Sequence, residues 1–186
     1  MDQAILGGWD IKVCVDGMPE KVATAFCDLN EQLVGANYFP IAYLGSQIVK
    51  GTNHAVLGRQ TIINADNTKN VVLIVFNEPH VPGKIIMPTP VYIDPVLNGF
   101  SQECGGVTIN EDFKITEEAQ KDFDSVIKHF VGSDVRPFAY LGYQVVKGVN
   151  RFFAAEVTPL YVNARKSISL VTVNAQCNTI HFKDII

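Results

Sequence analysis

The stretch PIAYLGSQIVKGTN at positions 40–53 returns as PFAYLGYQVVKGVN at positions 137–150, ninety-seven positions later. Self-similarity at a fixed period constrains a fold more than any local motif, because each copy must be a unit that is built the same way. A length of 186 residues fits one domain or two. The repeat decides for two, spanning 1–94 and 95–186, each large enough for a modest core of its own. Pro95, Asn98 and Gly99 make the segment from 94 to 104 the natural linker.

Both halves read in the same order. In the first, Gly7 and Gly8 precede Trp9 and the extended piece DIKVCV, and then PEKVATAFCDLNEQL places Val22, Phe26, Leu29 and Leu33 at helical spacing behind Pro19. After Gly35 the chain turns aromatic and β-branched: YFPIAYLGSQIV, NHAVLGRQTIIN and NVVLIVFN predict strands joined by short turns. A fourth, KIIMPTPVYI, holds Pro88 and Pro90 and so belongs at a sheet edge or bulge. The second half offers Gly105 and Gly106, the extended stretch VTINEDFKI, and Thr116 as N-cap of a helix over EEAQKDFDSVIKHF with Phe123, Ile127 and Phe130 buried. Strands over RPFAYLGYQVVKG, NRFFAAEVTPLYV, SISLVTVN and TIHFKDII follow. A helix followed by antiparallel strands, twice, predicts α+β architecture: two domains, each with one helix on a sheet.

Composition narrows function mainly by exclusion. With 47% hydrophobic and 18% charged residues, a net charge of -4 and no basic cluster, the chain lacks what neutralising phosphates requires, so no nucleic-acid partner is expected. Cys14, Cys27, Cys104 and Cys177 lack C-x-x-C spacing, which argues against zinc and favours free thiols. No basic-then-apolar leader opens the chain and no apolar run nears the roughly 20 residues that cross a bilayer. The reading is a soluble, cytoplasmic protein with no membrane partner; a removed secretion signal would leave no trace. There is no nucleophile elbow, phosphate-cradling loop or metal-spaced set, so neither an enzyme nor a cofactor is expected.

The pentapeptides Gln47-Ile48-Val49-Lys50-Gly51 and Gln144-Val145-Val146-Lys147-Gly148, with Asn53 and Asn150 after them, carry a resemblance. Together with the N-terminal Gly, the helix and the strand order, they are similar to the Q-x-V-x-G loop of the cystatin superfamily of cysteine-protease inhibitors. ILGGW, the loop and EPHVPGK resemble the stefin branch in particular. The resemblance covers nearly the whole chain in two copies and implies two cystatin-like domains, each one helix on a curved antiparallel sheet. It also implies reversible, tight binding to papain-like cysteine proteases.

Such a protease has a V-shaped cleft with a thiolate–histidine pair at its base, and a plug must fill it without offering a carbonyl to the thiolate. By the resemblance, the contact residues are Leu6, Gly7 and Gly8 in the trunk, the two pentapeptides, Val81 and Pro82 in the second hairpin, and Gly105 and Gly106 in the second trunk. Gln47 and Gln144 would offer amides to the protease, and Gly51 and Gly148 would turn the tip through positive φ. The second hairpin of the C-terminal half holds Ala175, Gln176 and Cys177 with no bulky anchor, so the first domain is expected to inhibit better. The alternative is a non-inhibitory interaction or structural module of the same build. A strained hairpin is also a hinge for swapping, so a monomer and a domain-swapped dimer are both compatible with the sequence.

Overall fold

A computed structural model of the chain describes residues 7–79, 91–93, 97 and 106–186. The chain divides into two compact units, Met1–Gly99 and Phe100–Ile186.

In unit 1, β1 (Trp9–Cys14) leads to α1 (Glu20–Gln32), then β2 (Ala36–Val49), β3 (Gly51–Ile62), β4 (Lys69–Glu78) and the two-residue β5 (Val91–Tyr92). The five strands form one antiparallel meander in sequence order. The face of α1 that carries Val22, Phe26 and Leu29 packs with Tyr38, Tyr43, Val56, Val72, Ile74 and Phe76 of the sheet. Period-3.6 spacing on the helix and period-2 spacing on β4 put these side chains into one layer. Each fully buried aromatic or aliphatic side chain there contributes about 1.5–3 kcal/mol.

Unit 2 follows with β6 (Val107–Ile109), α2 (Glu117–Ile127), β7 (Ser133–Val146), β8 (Gly148–Pro159), β9 (Ser167–Asn174) and β10 (Thr179–Asp184). Its sheet runs β10-β9-β8-β7-β6. Ala119, Phe123 and Val126 of α2 pack with Tyr140, Phe153, Val171 and Val173. The Thr116 hydroxyl accepts a hydrogen bond from the Ala119 backbone N–H, 3.2 Å away, whereas Pro19 at the start of α1 caps with no side chain.

Four expectations are corrected. The α+β class with two cystatin-like domains does not describe the chain: the described residues are mostly β, and two antiparallel sheets with two helices among them do not identify a cystatin pair. The cause is the length of the hairpin arms, 14 and 12 residues in β2–β3 and again in β7–β8, beside helices of 13 and 11 residues. The stretch VTINEDFKI is a strand only through Ile109; at Phe113 φ is 57°, and the Tyr140 N–H bonds the Phe113 carbonyl in place of a ladder. The buried stripe of α2 includes Val126, while Ile127 and Phe130 are only partly covered because the helix ends at Ile127. The strand over NRFFAAEVTPLYV stops at Pro159, leaving Leu160, Tyr161 and Val162 in an exposed turn. Of the strand over KIIMPTPVYI, only Val91–Tyr92 is seen as β5, and residues 80–90 lie outside the described residues.

Candidate functional site

The duplicated pentapeptides form the apices of two long hairpins. Val49 faces Gly51 across the ladder, so Lys50 alone makes the turn; Val146 faces Gly148 in the same way, with Lys147 alone at the tip. A one-residue reversal needs backbone that L side chains rarely adopt, and φ is 106° at Gly51 and 83° at Gly148. The two glycines differ in what surrounds them. A Cβ on Gly51 would lie 2.5 Å from the Glu78 carbonyl oxygen, whereas on Gly148 it would lie 2.7 Å from Oε1 of the Gln176 side chain.

The apices stand beyond their neighbours. Pairing with β1 reaches Gln47, opposite Trp9, and pairing with β4 reaches Thr52, opposite Glu78. In unit 2 pairing with β6 reaches Gln144 and pairing with β9 reaches Asn150. Ile48, Val49 and Val146 are exposed, and Val145 reaches 61%. Each apex therefore presents two adjacent apolar side chains and an exposed lysine, Lys50 or Lys147.

A row of amide side chains backs each apex. In unit 1, Asn77 Nδ2 donates to Asn53 Oδ1 at 2.8 Å, Asn53 Nδ2 donates to Gln47 Oε1 at 2.8 Å, and Gln47 Nε2 donates to the Gly7 carbonyl at 2.9 Å. Gln47, Asn53 and Asn77 are direct cross-strand partners in β2, β3 and β4, so the row runs straight across the sheet. The Gly7 N–H also donates to the Ile48 carbonyl at 3.3 Å. Gly7 is thereby held against the side of the apex.

In unit 2 the row is Asn174 to Asn150 at 2.9 Å and Asn150 to Gln144 at 3.4 Å. Here Asn174 Nδ2 also donates to the Lys147 carbonyl at 3.1 Å, and its Oδ1 accepts from the Cys177 N–H at 3.0 Å. Cys177 is exposed, and its Sγ lies 3.4 Å from the Lys147 carbonyl.

The Gln47 amide thus works inside the chain, joining apex and N-terminal segment, rather than standing free for a partner. Gly7, at φ 81°, and half-buried Gly8 lie beside Gln47 and Ile48. Gly106 is half-buried and leads straight into β6. Leu6, Val81, Pro82 and Gly105 lie outside the described residues. Asn77 and Asn174 were not singled out from the sequence, although they recur at the spacing of the repeat.

Behind each row, on the helix side of the sheet, one buried polar residue occupies the same position. In unit 1 it is His54, with Nδ1 3.3 Å from the Tyr43 hydroxyl and Nε2 3.2 Å from Glu78 Oε2. In unit 2 it is Arg151, which donates from Nε to Asp122 at 2.6 Å, from Nη2 to Glu118 at 2.7 Å and from Nη1 to the Tyr140 hydroxyl at 3.1 Å. Burial disfavours the Arg151 charge, but the hydrogen bonds to Asp122 and Tyr140 outweigh it and hold the guanidinium above its ordinary pKa. Burial likewise pushes the Tyr140 and Tyr43 hydroxyls up, so both stay protonated through the neutral range. Among the described residues, no group of His, Cys, Asp and Glu is placed to hold a metal ion.

No family model, no curated protein and no solved structure matches the chain.

Proposed function

We propose that the protein is a reversible inhibitor of papain-like cysteine proteases that occludes the active-site cleft with its hairpin apices. The observation that carries the reading is the pair of one-residue tips at Lys50 and Lys147, each flanked by two exposed apolar side chains and braced from behind by an amide row. A substrate stays extended past the nucleophile, but a chain that reverses within one residue carries its carbonyls away from it. Ile48 with Val49, and Val145 with Val146, would supply the apolar contact. The Gln47–Gly7 hydrogen bond holds Gly7 next to the first apex before docking. That spares ordering costs that otherwise run to about 0.5–1.5 kcal/mol per immobilised side chain.

The test is peptide hydrolysis by papain titrated with the full chain. Inhibition at or below micromolar concentration is expected, weakened roughly 30- to 100-fold by Val49→Glu together with Ile48→Glu, which place charge where a cleft would be dry. Folded protein that leaves papain fully active at micromolar concentration would remove the proposal.

A second reading applies to unit 2. Its Asn150–Gln144 contact is stretched to 3.4 Å, and β6 is only three residues long. These features favour a non-inhibitory interaction module there. A papain titration that saturates at one enzyme per chain, unchanged by Val146→Glu, would support that assignment.

A further inference from the structure

The end of unit 2 opposite its apex carries an apolar tip that protease occlusion does not use. The turn after β8 exposes Leu160 at 70%, Tyr161 at 68% and Val162 at 87%, and the loop after α2 exposes Val131 at 89%. The Leu160 N–H donates to the Gly132 carbonyl at 2.8 Å, so the two loops are joined at one end of the unit. Single exposed apolar residues are ordinary; four at one joined tip are not.

Within the two loops themselves every formal charge is basic. Residues 128–133 and 159–166 contain Lys128, Arg165 and Lys166 and no Asp or Glu. Of the acids just outside the loops, Asp134 pairs with Arg136 at 2.6 Å and Glu156 with Lys166 at 2.8 Å, while Asp124, one turn before Lys128, accepts from the Gln120 amide at 2.8 Å. Lys128 and Arg165 are both exposed. The acidic first turn of α2, Glu117 and Glu118, lies roughly 15 Å away along an 11-residue helix.

Unit 1 builds the same turn differently. Where unit 2 has Tyr161, Val162 and Arg165, unit 1 has Asn64, Ala65 and Thr68, and it adds Asp66. Unit 1 does share half of the patch, since Val34 at 99% and Ile63 at 63% match Val131 and Leu160 and the Ile63 N–H bonds the Gly35 carbonyl; what unit 2 adds is Tyr161, Val162 and Arg165.

We infer that this tip docks unit 2 onto an anionic lipid surface. Val131, Leu160 and Val162 enter the headgroup–acyl boundary, Tyr161 sits at the interface with its hydroxyl in water, and Lys128 and Arg165 face the anionic headgroups. A second protein fits less well. Three of the four side chains are aliphatic, smaller than the roughly 150–250 Å² an aromatic buries, so the tip falls short of the roughly 800 Å² per partner of a standard interface. A lipid surface needs no matching shape.

The experiment is flotation of the full chain with vesicles of phosphatidylcholine alone or with 30–40% phosphatidylserine (on the order of cellular anionic content or above it). Binding is expected to the phosphatidylserine vesicles only and to fall with salt. Tyr161→Asp with Val162→Asp should weaken it about tenfold or more, and Arg165→Gln about fivefold. These positions are exposed turn residues, and an unchanged circular-dichroism melt verifies the fold. No binding by the wild-type chain, or binding that the double variant leaves intact, overturns the inference. So does a concentration-dependent dimer, seen in sedimentation, that the double variant abolishes. Papain inhibition by the double variant should equal wild type, which separates this test from that of the apices.

Discussion

Unit 1 and unit 2 solve one problem with different chemistry. At the matched position on the helix-facing side of the sheet, His54 is 6% exposed and in contact with Tyr43 and Glu78, whereas Arg151 is 7% exposed and clamped by Tyr140, Asp122 and Glu118. The change is not confined to one side chain. Where α2 supplies Glu118 and Asp122, α1 has Lys21 and Ala25, and where β4 ends in Glu78, β9 is followed by Ala175. A second polar set behaves alike. Gln60 donates to the Tyr38 hydroxyl at 2.7 Å and accepts from Asn70 at 2.8 Å, while the matched positions in unit 2 are Val135, Val157 and Ser167. Buried polar groups are replaced as sets, because half of such a network leaves a desolvated group without a partner.

The strongest way to break this comparison is Arg151→Ala. It leaves Asp122 and the Tyr140 hydroxyl facing an empty site, and unit 2 should lose about 3–4 kcal/mol, reduced from a fully buried pair because Glu118 is 79% exposed. Hydrogen exchange resolved onto each unit checks it: protection should fall in β7–β9 and not in β2–β4. A loss below about 1 kcal/mol would mean that the clamp does not stabilise its unit.

A smaller effect sharpens the contrast at the apices. Gly51→Ala should cost about 2–3 kcal/mol, since positive φ and the Glu78 backbone carbonyl both resist the methyl, but Gly148→Ala about 1–2 kcal/mol, because positive φ acts there too while the crowding atoms, Gln176 Oε1 and Cβ and Asn174 Oδ1, belong to side chains and not to the backbone. Paired urea titrations measure the difference, and equal costs would show that φ alone decides. Smallest is Thr116→Ala, which removes the cap of α2 and should cost about 1 kcal/mol, read from the same titration. An unchanged midpoint would mean α2 starts as α1 does at Pro19, with no help from a side chain.

Much of the element order was legible because it rests on local patterns. Val22, Phe26 and Leu29 announce a helix by spacing, and the β-branched runs before Gly51 and Gly148 announce strands. The balance of the class was not legible, because spacing says where a strand starts better than how far its hairpin arm extends. Leu160, Tyr161 and Val162 show why: their composition reads as strand, yet the ladder ends at Pro159, which has no N–H to donate. The amide row was hidden for another reason. Gln47, Asn53 and Asn77 are brought together by register across three strands, and no window along the chain contains that information. The recurrence of Asn77 as Asn174 was the available clue.

The hydrogen bond from Gln47 to the Gly7 carbonyl has a practical corollary for anyone handling the molecule. A fluorophore, affinity handle or immobilising surface joined at Gly7 would sit beside the first apex and crowd it. Ile186, strapped to Ile168 at the other end of β9 from Asn174, offers a point of attachment remote from the apex of its own unit.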